Sequence, residues 1–175
     1  FKQKVNYEET CILNIRGGEY KMHRELILPK TYWLNAIKNI KNRFGNLEFK
    51  IITDDNDYAS KLLPNYEIIN GGIRSDFINL YFAKYLILSN SSFSYFPINL
   101  GVRPEYVLAP FNWARFNNKY KRWVSFSNFT DEWYWQNQEG VILNNAELLI
   151  SVKESEIFYN SFDVLTSSNH FKKFK

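Results

Sequence analysis

Cysteine is nearly absent: Cys11 is the only one in 175 residues. That excludes an internal disulfide and any cysteine cluster for zinc or iron–sulfur. Histidine is almost as scarce, and His23 and His170 lie too far apart in sequence to form a local metal motif. No run approaches the roughly 20 apolar residues of a membrane-spanning helix. The opening residues, Phe1-Lys2-Gln3-Lys4, hold neither a Met nor the apolar core of a secretory signal. The missing Met leads us to expect a piece of a longer chain. The expected compartment is the cytoplasm, or the cytoplasmic face of a membrane with peripheral association.

What is present bounds the answer further. Hydrophobic residues make up 45% of the chain and charged residues 23%, which excludes disorder as the main state. The length suits one domain, or one lobe of a larger enzyme. Lys and Arg number 22 against 18 Asp and Glu, a net charge of +4 that suits anionic ligands without requiring nucleic acid. Aromatics reach 18%. They read either as stacking platforms for bases or sugars, or as the mark of a nucleotide-biased genome, since the excess runs along the whole chain. Trp113, Phe116, Tyr120 and Trp123, interleaved with Arg115, Lys119, Lys121 and Arg122, would suit a single-strand binding surface. A solvated amphipathic helix accounts for the same stretch, and no nucleic-acid partner is expected.

The first two-thirds of the chain alternates. Cys11 to Arg16 is a short apolar run stopped by Gly17-Gly18, which predicts a buried strand. Lys30 to Phe44 spaces Tyr32, Trp33, Ala36, Ile37, Ile40 and Phe44 as a helix would. Further strands are predicted over Phe49–Thr53, Tyr66–Ile69, Tyr85–Leu88 and Tyr106–Ala109. Between them come a short helix over Asp57–Leu63, a helix capped at Ser75-Asp76, and another starting near Phe93. Strands alternating with helices predict an α/β fold, a Rossmann-like doubly wound parallel sheet. After Asn112 the rhythm stops. Val141–Leu143 is a candidate last strand, Ala146–Val152 a candidate helix, and the tail from His170 is expected to be loose.

In such a sheet, ligands bind beyond the carboxyl ends of the strands. Arg16 with Gly17-Gly18, then Asp54-Asp55, then Ser89 to Ser94 all fall at such ends. The Ser-rich turn, leading into a helix, would offer N–H groups and hydroxyls to a phosphate, or would simply cap a buried helix. Arg16 would grip a pyrophosphate bidentately, or sit beside a flexible turn. Asp76 would hold the edge of a base or sugar, or cap its helix. Asp54 and Asp55 read as strand-end caps rather than a metal pair, and Glu19 and His23 as surface residues. Together the signals point to a sugar-nucleotide or dinucleotide lobe.

Four blocks carry a resemblance. Asn14-Ile15-Arg16-Gly17-Gly18-Glu19-Tyr20 resembles the HxRRGDY segment of the α1,2-fucosyltransferases, glycosyltransferase family eleven. Ile51 to Asp55 is similar to that family's strand ending in Ser-Asp-Asp. Leu88 to Ser94 resembles its SNSSFSWW block, and Val107 to Trp113 its following strand end. The resemblance implies the C-terminal, donor-binding lobe of a GT-B enzyme that takes GDP-fucose without a metal or other cofactor. The acceptor lobe would precede Phe1, and a glycan of surface polysaccharide or lipopolysaccharide would be the acceptor. By similarity, residues 1–150 form the nucleotide-sugar domain and 151–175 an extension. Arg16 would bind the donor's phosphates and serve catalysis, beside Asn14. Asp76 would reach the guanine, and Ser91, Ser92 and Phe93 the pyrophosphate. Asn14 stands where the family has His, Gly17 where it has a second Arg, and Glu19 where it has Asp. Those departures keep open a divergent or inactive nucleotide-sugar-binding relative.

Overall fold

The short apolar runs become strands because a strand buried on both faces has no use for polar alternation. The computed structural model describes residues 5–23, 26–69, 71–111, 130 and 132–161. Strands β1 (Thr10–Ile15), β2 (Glu48–Thr53), β3 (Glu67–Ile68), β4 (Tyr85–Leu88), β5 (Tyr106–Pro110) and β6 (Tyr134–Gln136) form one sheet. Their order is β3-β2-β1-β4-β5-β6, and every neighbouring pair is parallel. The predicted doubly wound α/β architecture is the one observed.

Alternate residues of each central strand feed two cores. Cys11, Leu13 and Ile15 face α1 (Lys30–Phe44) and α2 (Asn56–Leu62), where Trp33, Ile37, Ile40 and Ala59 meet them. Ile12, Leu86 and Leu88 face the other way. There α3 (Ile73–Phe82), α4 (Ser92–Leu100) and α5 (Asn145–Ser161) bring Leu80, Ile98 and Leu148. All six residues of β1 are buried, and each fully buried Leu or Ile contributes about 1.5–3 kcal/mol. The centre of the sheet is therefore its most strongly held part.

Several expectations are corrected. The chain has a sixth strand at Tyr134–Gln136, while Val141–Leu143 forms no strand and makes only the antiparallel bridge Gln136 to Ile142. Gln136 explains the sixth strand: it is fully buried, donates from Nε2 to the Tyr32 carbonyl (3.0 Å), and accepts from Asn39 (2.9 Å). Helix α1 thus holds the edge strand by side chains. Helix α3 starts at Ile73, with Gly72 and not Ser75-Asp76 at its cap. Helix α5 continues to Ser161, well past Val152. The aromatic and basic stretch 113–123 and the tail from 162 lie outside the described residues. No helix among the described residues is long and apolar enough to cross a membrane.

Candidate functional site

Parallel strands that end together leave a crevice where the strand order reverses, here between β1 and β4. Asn14 of β1 pairs with Leu88 of β4, and Ile15 with Thr53 of β2, so three strand ends lie side by side. A cavity of about 460 Å³ opens above them. Asn14, Arg16, Asp76, Ser91 and Phe93 all line it, as do Thr53 and Asp54. Ser92 is exposed and lies outside the lining.

Arg16 leaves the sheet as the first residue after β1 and is held from two sides. Its Nη1 lies 3.0 Å from Asp54 Oδ2, and its Nη2 donates to Glu19 Oε1 at 3.1 Å. Its Nε is buried and makes no hydrogen bond. The Asp54 carboxylate also accepts the Gly17 N–H through Oδ1, at 2.9 Å. Tyr20 slides under the guanidinium, ring centroid 5.4 Å away, and donates its hydroxyl to the Asn90 carbonyl. Partial burial pushes the Tyr20 phenol pKa up, with the Arg16 charge pulling the other way.

The Ser89–Ser94 turn is built from its own side chains. Ser89 donates Oγ–H to Asn14 Oδ1 and its N–H to the Asn14 carbonyl, both at 3.0 Å, which clamps the β4 end to the β1 end. Asn90 donates to the Leu26 carbonyl (3.1 Å). Ser91 is the N-cap of α4: its Oγ accepts the Phe93 N–H at 3.3 Å, and its carbonyl accepts Ser94 Oγ–H at 2.8 Å. The capping reading of this turn is the one observed. The hydroxyl of Ser91 serves the helix, while the residue also walls the cavity.

Asp76 sits in the first turn of α3 rather than before it, and is 9% exposed. Gly72, at φ 78°, allows the sharp entry that points this turn at the cavity. Asp55 does act as a cap, for α2, accepting the Tyr58 N–H at 3.0 Å. It also pairs with Lys21. The Lys21 ammonium and then the Tyr58 N–H hold its carboxyl below the usual range. The N-terminal residues of α2, α3 and α4 (Asn56, Ile73 and the Ser91 cap) all reach the cavity lining. Free N–H groups at such ends carry partial positive charge. With Arg16 they bring positive potential to the cavity, whose lining also holds a buried carboxylate, Asp76.

A curated relative, the alpha-1,2-colitosyltransferase of Escherichia coli, is 27% identical over 104 residues. The chain is similar to a colitosyltransferase. The alignment covers 52% of this chain, and the chain spans only 36% of the relative's length. No family profile matches the chain, and no solved structure matches it.

The role of Asp54 escaped the sequence reading, which took it for a strand-end cap. The signal that could have found it is the pairing of strand ends: Arg16 follows β1, Asp54 follows β2, and parallel strands of equal length bring them together. Glu19 is exposed as expected, yet it is an ion-pair partner of Arg16. Among the described residues, no three His, Cys, Asp or Glu side chains cluster as a metal site requires.

Proposed function

We propose that this chain is the donor-binding lobe of an inverting α1,2-glycosyltransferase that uses a GDP-linked deoxy sugar, GDP-fucose in the first instance. The observation that carries the proposal is the cavity at the β1/β4 crevice, which unites Arg16, the N-terminus of α4 and Asp76. Similarity to a colitosyltransferase and the resemblance to fucosyltransferase blocks support the same class. In this reading Arg16, its Nε still lacking an acceptor, and the helix N–H groups take the diphosphate, while Asp76 takes N–H donors of the base.

Transfer forms a bond from an acceptor hydroxyl oxygen to the anomeric carbon and breaks the bond from that carbon to the diphosphate. GDP leaves with the electron pair, and the acceptor proton passes to a base and then to water. Charge grows on the departing diphosphate, so preorganised donors aimed at it lower the barrier. Arg16 and the helix ends counter that charge without a metal. The acceptor-binding part lies outside these residues, and the glycan acceptor meets the donor across the open rim.

Fucose and colitose differ by one ring hydroxyl. A site that hydrogen-bonds that hydroxyl rejects the sugar lacking it by orders of magnitude, whereas an apolar wall discriminates only weakly. Isothermal titration with GDP, ADP, GDP-fucose and GDP-colitose therefore tests class and donor together. Selective binding of GDP over ADP is expected, and equal binding of the two by a folded sample would sink the proposal.

A further inference from the structure

We infer that Asp54 is the positioning residue that presents Arg16 to the donor diphosphate, an inference that rests on the donor-lobe reading above. Its carboxylate grips the loop after β1 at two points. Oδ1 accepts the Gly17 N–H at 2.9 Å, and Oδ2 lies 3.0 Å from Arg16 Nη1. One oxygen therefore fixes the backbone that carries Arg16, and the other fixes the guanidinium itself. Glu19 also pairs with the guanidinium, at 3.1 Å, but it does so from the same loop, three residues on and with a side chain 64% exposed. Among the described residues, no contact of its own ties that loop to the sheet. Asp55, the adjacent carboxylate, is committed to Lys21 and the Tyr58 N–H and cannot substitute.

The loop is shaped around this carboxylate. A Cβ on Gly18 would stand 2.3 Å from Asp54 Oδ2, and Gly18 has a φ of +24°. Any side chain there would push the carboxylate off Arg16. The Arg fork keeps its geometric advantage over a flexible cation only when its plane is set beforehand, and Asp54 sets it. A carboxylate beside a phosphate site also repels the ligand, so the two effects make opposite predictions. Positioning requires that removing Asp54 weakens diphosphate binding, while simple repulsion requires that it strengthens it.

Asp54→Asn separates them, since Asn retains its one oxygen for the Gly17 N–H and then turns N–H donors, not an acceptor, toward Arg16. NMR titration of wild type and variant with GDP and with guanosine reads the diphosphate part apart from the base. The expected result is a five- to tenfold loss of GDP affinity with guanosine binding unchanged. Gly18→Ala, which retains the Asp54 charge but displaces the carboxylate, should give the same selective loss. Unchanged or tighter GDP binding by Asp54→Asn overturns the inference. Parallel loss of GDP and guanosine in both variants also overturns it, since that marks a role in folding only. A wild-type chain that binds guanosine and GDP equally well overturns the donor-lobe reading itself, and the inference with it.

Discussion

Replacing Arg16 with Ala should cost GDP binding about tenfold, and the structure sets the size of that loss. A hydrogen bond to a charged group contributes about 1.5–3 kcal/mol. Against it stand the two ion pairs that Arg16 gives up or shares when a diphosphate arrives, at 3.0 and 3.1 Å. Its side chain is 29% exposed, and pairs of this kind are worth about 0–1 kcal/mol each. The difference is about 1–2 kcal/mol, or roughly five- to thirtyfold in affinity. Thermal unfolding gives an independent readout. At a GDP concentration 100 times the wild-type Kd, binding adds about 2.7 kcal/mol to stability. A variant binding tenfold more weakly gains about 1.4 kcal/mol at the same concentration. The wild type should therefore show a GDP-induced rise in Tm larger by about 3–5 °C for a chain of this size. A folded Arg16→Ala chain that binds GDP within a factor of two of wild type would refute the phosphate role.

Other expectations concern the scaffold. Asp55→Ala removes the α2 cap and should lower stability by about 1 kcal/mol at neutral pH. Because the folded carboxyl titrates below its unfolded value, its contribution is present above about pH 4 and lost as pH falls through the folded pKa. Urea unfolding at both pH values should show the variant and wild type converging in acid; a constant gap would contradict the assignment. Gly101→Ala should cost about 1–3 kcal/mol, since its Cβ would stand 2.3 Å from the Tyr81 carbonyl oxygen and 2.6 Å from that of Pro97. A variant with an unchanged urea midpoint would show that this backbone yields freely. Cys11 is fully buried and burial pushes its thiol pKa far up, so thiol reagents should label it only as the chain unfolds. Rapid labelling of the native chain would mean that β1 opens locally.

The parts legible in the sequence are those where local chemistry and tertiary role agree. The runs at β1, β2, β4 and β5 are mainly apolar because they are sandwiched, and Gly17, Asp54, Ser89 and Pro110 mark their ends. The spacing of α1 matches its buried face at Tyr32, Trp33, Ala36, Ile37 and Ile40, with Phe44 half-buried at its end. Strand β6 was missed because its three residues, Tyr134-Trp135-Gln136, show no run, and the polar Gln136 is the residue that docks it. The start of α3 was misplaced because a glycine at positive φ does the capping that Ser75-Asp76 advertised. Of the cavity lining, Arg16, Asp76, Ser91 and Phe93 were legible as strand-end and helix-start residues, and Asn14 only through the family resemblance. The grip of Asp54 on Arg16 was not, since it depends on register between two strands nearly forty residues apart, the Gly17-to-Asp54 separation being 37.

The clamp between Ser89 and Asn14 has a kinetic consequence. These residues are 75 apart in sequence, so the crevice closes only after β4 has found β1 across a long loop, a slow kind of pairing. Asn14, Ile15 and Arg16 line the cavity from the β1 side of that junction, and Ser91 and Phe93 from the β4 side. A ligand seated there meets a complete pocket only once the junction has formed, so it stabilises contacts made late. Bound nucleotide should then leave the refolding rate nearly untouched and slow unfolding instead. Occupancy would govern how long the native chain survives rather than how quickly it is reached.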